Sequence, residues 1–271
     1  MKLYTTKKPT FEDAQKLSSF YTTIESKTVL YNNLLNILDL NYIKTLSDFN
    51  VHEIYNYILL EYYPNEVSIK SSFINRVLMS GKNHVTIFEL PIINSRADLC
   101  KINGDSIVYE IKTELDNFSR LPKQMSDYQK IFDKIYVICP IIKINKAKEY
   151  IPEEAGLYSY KITKKGKYIY KIERPATLNN NLDSIEQLRI LRKAELNNLL
   201  KNSHAMNREE MINYLASNKS AKQINTIFKQ TLKSRYKKQW DFLKNNHEHI
   251  LEIDYQWFYK NPINPELIYN Y

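Results

Sequence analysis

Residues Arg96–Gln124 read RADLCKINGDSIVYEIKTELDNFSRLPKQ, two short apolar runs parted by an Asn-Gly pair and each carrying charge. Asn103-Gly104 lies between Arg96–Ile102 and Ser106–Lys112. That pair favours φ > 0, so an antiparallel hairpin is expected. Asp98 sits in the first run, and Glu110-Ile111-Lys112 closes the second. Side chains alternate along a strand, so Glu110 and Lys112 share one face while Ile111 points to the other.

Whether Asp98 joins them depends on the connection. Opposed residues of an antiparallel pair point to the same side, so an odd number of connecting residues, or a bulge, is needed to face Asp98 with Glu110. A two-residue Asn-Gly turn sets Asp98 against Tyr109. A three-residue Asn103-Gly104-Asp105 loop sets it against Glu110, with Ile102 facing Ser106. We expect the second arrangement. An ordinary hairpin whose exposed face carries charge is the plain alternative.

An Asp on one strand and Glu-x-Lys on the next resembles the pattern of the PD-(D/E)XK nuclease superfamily. The proline of that pattern is missing, since Ala97 precedes Asp98. Gln124-Met-Ser-Asp-Tyr128 is a Q-x-x-x-Y on an expected helix, similar to the motif after the active-site strand in RecB-type nuclease domains. Upstream, Glu66 and Lys70 lie one helical turn apart in EVSIKSSFINRVLMSGK, where the superfamily often carries a helical glutamate. EIKTELDNFSRLPKQMSDY, read whole, looks like a small bacterial branch of the superfamily.

The resemblance implies an α/β protein with a restriction-endonuclease-like core, a mixed central sheet flanked by helices. It implies a metal-dependent nuclease, a hydrolase of phosphodiester bonds with DNA favoured over RNA, in defence, repair or a mobile element. Asp98 and Glu110, with the Ile111 carbonyl, are then expected to hold Mg²⁺ or Mn²⁺, ions that prefer hard oxygen ligands. Lys112 is expected to orient or deprotonate the water and offset charge in the transition state. Glu66 is implied to orient a metal-bound water or a second ion; an exposed i,i+4 pair with Lys70 is the plain reading. Gln124 and Tyr128 are expected to hold the water, Lys112 or a phosphate, and Arg120 to meet a phosphate.

The whole chain of 271 residues carries 39 Lys+Arg against 30 Asp+Glu, a formal charge of +9. The excess lies from Ile141 onward, and the preceding half is near neutral. A basic half beside an acidic cluster suggests a polyanion held by one part and processed by the other. A lysine-rich surface from an A/T-biased genome would read the same way. Lys70 and Arg120, then Lys222, Lys229, Lys233, Arg235, Lys237 and Lys238, are the candidate nucleic-acid contacts, with Tyr236 and Trp240 interleaved. The two cysteines, Cys100 and Cys139, lie inside expected strands and read as buried thiols in a reducing compartment. No thiolate spacing suits zinc. MKLYTTKKPTF has no apolar core, and no run of about 18 apolar residues occurs, so a cytoplasmic protein with no membrane partner is expected.

Three regions follow from the patterns. Residues 1–63 read as a helical cap, with apolar side chains at three- and four-residue intervals. Residues 64–178 read as the nuclease-like core: a helix from Asn65 to Ser80, a strand at Val85–Pro91 on which Glu89 lies, the hairpin, a helix from Phe118 to Phe132 and a buried strand at Lys134–Pro140. The core sheet is expected to have three or four strands. A second hairpin, Gly156–Thr163 and Lys167–Arg174, is expected to extend it. Residues 179–271 read as a basic helical region, in which Leu191–Leu200 and Arg208–Leu215 resemble the SAP helix–loop–helix, without the glycine usual in its loop. Two other readings stand beside the nuclease: a catalytically inactive nucleic-acid binder on the same fold, and a protein-interaction module whose acidic hairpin meets a partner.

Overall fold

The computed structural model describes residues 6–163, 166–200 and 206–270. In chain order the elements are α1 (Phe11–Phe20), α2 (Lys27–Ile37), α3 (Leu40–Lys44), α4 (Val51–Tyr62), α5 (Glu66–Phe73), β1 (Val85–Ile92), β2 (Ser95–Asn103) and β3 (Asp105–Ile111). Then come α6 (Leu121–Gln129), β4 (Lys134–Pro140), α7 (Ile144–Lys148), β5 (Gly156–Ile162) and β6 (Tyr168–Arg174). The chain closes with α8 (Ser184–Ile190), α9 (Lys193–Leu199), α10 (Arg208–Asn218), α11 (Ala221–Asn246), α12 (Tyr255–Lys260) and α13 (Pro265–Tyr269). Two compact units result. The first holds Met1–Ser80, Ile162–Ile169 and Asp241–Tyr271; the second holds Gly81–Lys161 and Tyr170–Trp240. These boundaries cut the chain differently from the three consecutive regions read in the sequence.

In the first unit, each of the early helices starts on a side chain that accepts an orphan N–H. Thr10 and Asp13 form a capping box on α1, Ser26 caps α2, Asp39 caps α3, and Asn50 with Glu53 boxes α4. Asn65 caps α5 through the Ser68 N–H, and the helix widens into a π turn over Ile74–Leu78. Leu17, Leu30, Leu34, Ile54, Tyr55 and Ile58 form the buried core. Late in the chain, buried Asp254 accepts from Tyr21 Oη (2.8 Å), Thr23 Oγ1 (2.7 Å) and Tyr269 Oη (2.8 Å). Burial pushes its carboxyl up, against the pull of those hydroxyls.

The second unit is mixed α/β around a six-stranded sheet flanked by helices, in the order β1-β2-β3-β4-β5-β6. β1, β2 and β3 form an antiparallel meander; β3, β4 and β5 run parallel, with α6 and α7 in the crossovers. β1 to β4 make up the expected core of three or four strands, and the second hairpin extends it by β5 and β6, as its pattern led us to expect. β4 is buried at Ile135 and from Val137 to Pro140, but Lys134 and Tyr136 are only half-buried, so the expected full burial holds for its later residues and not for its start. The apolar core includes Ile87, Leu99, Val108, Met125, Phe132, Val137, Ile138 and Phe228.

A buried acid fastens the far end of the hairpin to this core. Asp133 accepts from the Ser106 N–H (2.7 Å), Asn225 Nδ2 (2.7 Å) and Lys229 Nζ (3.0 Å). Burial alone would raise its pKa, but these three donors outweigh it and hold the carboxyl below its ordinary value. Cys100 and Cys139 are buried free thiols, and burial raises both, Cys139 to about 12. Among the described residues no helix is long and apolar enough to cross a membrane. The SAP-like pair corresponds to α9 and α10, and its connection lies partly outside the described residues.

Candidate active site

The β2–β3 connection sets the site. Ile102 faces Ser106 and Asn103 faces Asp105, about Gly104 at φ +78°. This is the register of the three-residue Asn103-Gly104-Asp105 connection, and glycine meets its positive φ without strain. The ladder runs to the Leu99–Tyr109 pair. One step further, Asp98 comes opposite Glu110. Here the side chain replaces the main chain, because Asp98 Oδ2 accepts the Ile111 N–H at 2.7 Å. Tyr109 points to the other face, where its ring stacks on Tyr136 at 5.7 Å.

Glu110 is the hub of the site and only 2% exposed. Its Oε1 accepts from Lys112 Nζ (2.7 Å) and Gln124 Nε2 (2.6 Å), and its Oε2 from Tyr128 Oη (2.7 Å). Lys112 Nζ also donates to Gln124 Oε1 at 3.0 Å. Tyr128 Oη lies 3.0 Å from the Arg96 carbonyl as well, so one proton serves two acceptors. Burial first, and then the Glu110 carboxylate, raise the Tyr128 phenol far above its usual pKa, so it stays a donor. Spacing of four on α6 is what brings Gln124 and Tyr128 onto one face, one turn apart. A buried carboxylate next to a buried ammonium is tolerable because both are hydrogen-bonded.

β1 adds a further acid. Phe88 pairs with Leu99 and Leu90 with Ala97, so Glu89 stands opposite Asp98 across the β1–β2 ladder. Glu89 adopts φ +54°, unusual for a side chain of this size inside a strand. One carboxylate oxygen of Glu89 lies within 4.8 Å of one of Asp98. Arg96 Nε holds Glu89 Oε2 at 2.6 Å. Acids from three neighbouring strands therefore form one row, Glu89, Asp98 and Glu110. The sequence placed Glu89 on its strand; its left-handed backbone and its Arg96 partner had no signal there.

The loop after β3 is pinned by main-chain contacts. Thr113 N–H donates to Asp116 Oδ2 at 2.7 Å, and Lys143 Nζ donates to the carbonyls of Thr113, Glu114 and Asp116. Arg120 is exposed at the start of α6. The acids thus sit at the carboxyl end of β3, where parallel strands of α/β proteins generally present their ligand sites.

Not every expected contact is available. Lys229 pairs with buried Asp133, and Arg235 forks onto both Glu195 oxygens and donates to the Ile190 carbonyl at 3.2 Å. These two cations brace the second unit, which corrects their reading as phosphate contacts. Lys233 Nζ donates to the Asn83 carbonyl at 2.6 Å, while Lys222, Lys237 and Lys238 are exposed on α11. In the first unit Lys70 is 2% exposed and bonded to Glu66 Oε1 (2.8 Å) and Gln256 Oε1 (3.4 Å). Its ammonium is enclosed, so a phosphate contact is corrected there too. The Glu66 side chain is half exposed in the first turn of α5. Asp98, Glu110, Lys112, Gln124 and Tyr128 gather in the second unit.

Residues 61–256 match the family model described as Bacteriophage P4 protein cII. Protein cII of Enterobacteria phage P4 is 25% identical over 180 residues, which cover 63% of this chain and 67% of that protein. A solved protein of unknown function from Silicibacter pomeroyi is 17% identical, with a TM-score of 0.30, over 46% of this chain and 84% of its own. The matched span runs from the end of α4 to the start of α12 and takes in the whole sheet and the acid row: the chain belongs to the phage P4 protein cII family.

Proposed function

We propose that this protein is a metal-dependent nuclease with a restriction-endonuclease-like core, acting on phosphodiester bonds and on DNA in preference to RNA. One observation carries the reading: Glu110, Lys112, Gln124 and Tyr128 form a closed hydrogen-bonded set beside Asp98, at the end of one strand.

The donor set fits Mg²⁺ or Mn²⁺. Asp98, Glu110 and the Ile111 carbonyl offer hard oxygen, and Glu89 stands next to Asp98 as a further acid. A carboxylate has about four acceptor positions, and three of Glu110's are taken by its protein donors. When bound, the ion supplies Lewis-acid polarisation of the phosphate and a lowered pKa for its water. Lys112 Nζ, held by Glu110 and Gln124, would orient the water and offset negative charge that develops on a phosphate oxygen. Gln124 and Tyr128 fix the rotamers of Glu110 and Lys112, so neither must reorganise during the reaction. Arg120 and the exposed lysines of α11 would hold the polyanion by charge, with affinity falling steeply with salt. Kinship with a phage protein suits a role in a mobile element or in phage defence.

A second reading, binding without cleavage, draws on the same Glu110: a carboxylate wrapped by three protein donors is also what a structural acid looks like. Cleavage of linear, circular and single-stranded DNA and of RNA, with Mg²⁺ or Mn²⁺ against an EDTA control, separates the two. Cutting that needs the metal supports the nuclease. Salt-sensitive binding with no cutting on any substrate supports the binder.

A further inference from the structure

We propose that β6 pairs with β6 of a second copy of this chain, making a two-fold dimer through a continuous sheet. β6 ends the strand order, and no described strand covers its outer side. An edge of unpaired N–H and C=O groups is a template for a further strand, and proteins usually blunt it. Side chains on both faces of the strand are exposed. Ile172 is 49% exposed on one face, and Lys171 has a 72% exposed side chain on the other. Two-fold pairing needs opposed residues to share a face, so the register must place some residue opposite itself.

Centred on Ile172, that register opposes Lys171 of each copy to Glu173 of the other and packs the two Ile172 side chains together. The segment Tyr170–Arg174 reads YKIER, so its charges are self-complementary about Ile172. Opposite charges directly across a ladder stabilise it, and like charges would oppose it. Glu173 is already aligned on this face: it accepts from Ser159 Oγ on β5 at 2.7 Å and pairs with Lys171 of its own strand at 3.1 Å. Pro175 follows β6 and has no N–H to offer, which ends the ladder just beyond this segment.

The test is the mass in solution, by light scattering and sedimentation, of wild type, Lys171→Glu, Glu173→Lys and the double exchange. The dimer is expected for wild type, a shift to monomer for either single reversal, and the dimer again for Lys171→Glu/Glu173→Lys. In parallel, Ile172→Cys is expected to form a covalent dimer under mild oxidation, since opposed Cβ atoms lie ~5 Å apart, whereas exposed Leu178→Cys is not. Circular dichroism verifies that each variant folds. A monomeric wild type, or a dimer indifferent to both single reversals, overturns the proposal.

Discussion

The Asp98 carboxylate accepts the main-chain N–H of Ile111 at 2.7 Å, across the end of the β2–β3 ladder. On the proposed nuclease reading, an acid that ties down the strand carrying Glu110 and Lys112 would have two separable roles, structural and chemical. Asp98→Asn keeps an oxygen for the Ile111 N–H and removes the charge. Asp98→Ala orphans a buried donor and is expected to cost about 1–3 kcal/mol of stability. Denaturant unfolding should therefore show Asn near wild type and Ala clearly weaker, while nuclease activity is lost in both.

The cations of α11 divide in the same way. Arg235→Ala breaks a fork onto Glu195, and Lys229→Met removes one of the donors of Asp133. Each is expected to lower stability by about 1–3 kcal/mol. Lys237→Glu and Lys238→Glu, on the exposed side, are expected to leave stability within about 0.5 kcal/mol and to weaken DNA binding with a shallower salt dependence. Thermal melts and fluorescence anisotropy at several salt concentrations distinguish the two groups.

Asp133 makes acid stability a specific measurement. Its carboxyl is held below the ordinary value of 3.8 in the folded protein. Its contribution is therefore present in full above the unfolded-state value and is lost as pH falls through the lower folded one. Asp133→Asn is expected to flatten the stability profile below about pH 4, and to leave a less stable protein at pH 7. Unfolding midpoints measured from pH 7 down to pH 3 check this.

Gly104 holds the register on which the site depends, at φ +78° with open space around its Cα. Gly104→Ala meets no clash, so its cost is backbone strain, about 1–2 kcal/mol. Gly104→Asn, which tolerates the left-handed region better, should lose less. Chemical denaturation of the two variants measures the difference.

The hairpin, its odd connection and the Q-x-x-x-Y spacing were legible because each is local: Asn-Gly sets a turn, alternation sets a face, and four residues set one helical turn. The strands at Val85–Pro91 and Lys134–Pro140 were legible for the same reason. What could not be read was set by contacts between distant residues. Lys229 and Arg235 look like a basic stripe until Asp133 and Glu195 are brought beside them. Lys70 looks solvated until its helix is enclosed. The second hairpin, by contrast, was legible: Gly156–Thr163 and Lys167–Arg174 were expected to extend the sheet, and they do so as β5 and β6.

The most direct measurement is cleavage of end-labelled DNA in Mn²⁺ by wild type, Lys112→Ala and Gln124→Ala, with EDTA and a circular dichroism check of each fold. Cutting by wild type that EDTA abolishes, that falls at least about 100-fold in Lys112→Ala and drops less in Gln124→Ala, would place the chemistry at the end of β3. Equal cutting by wild type and Lys112→Ala, or no cutting of the DNA by wild type in Mn²⁺, would contradict it.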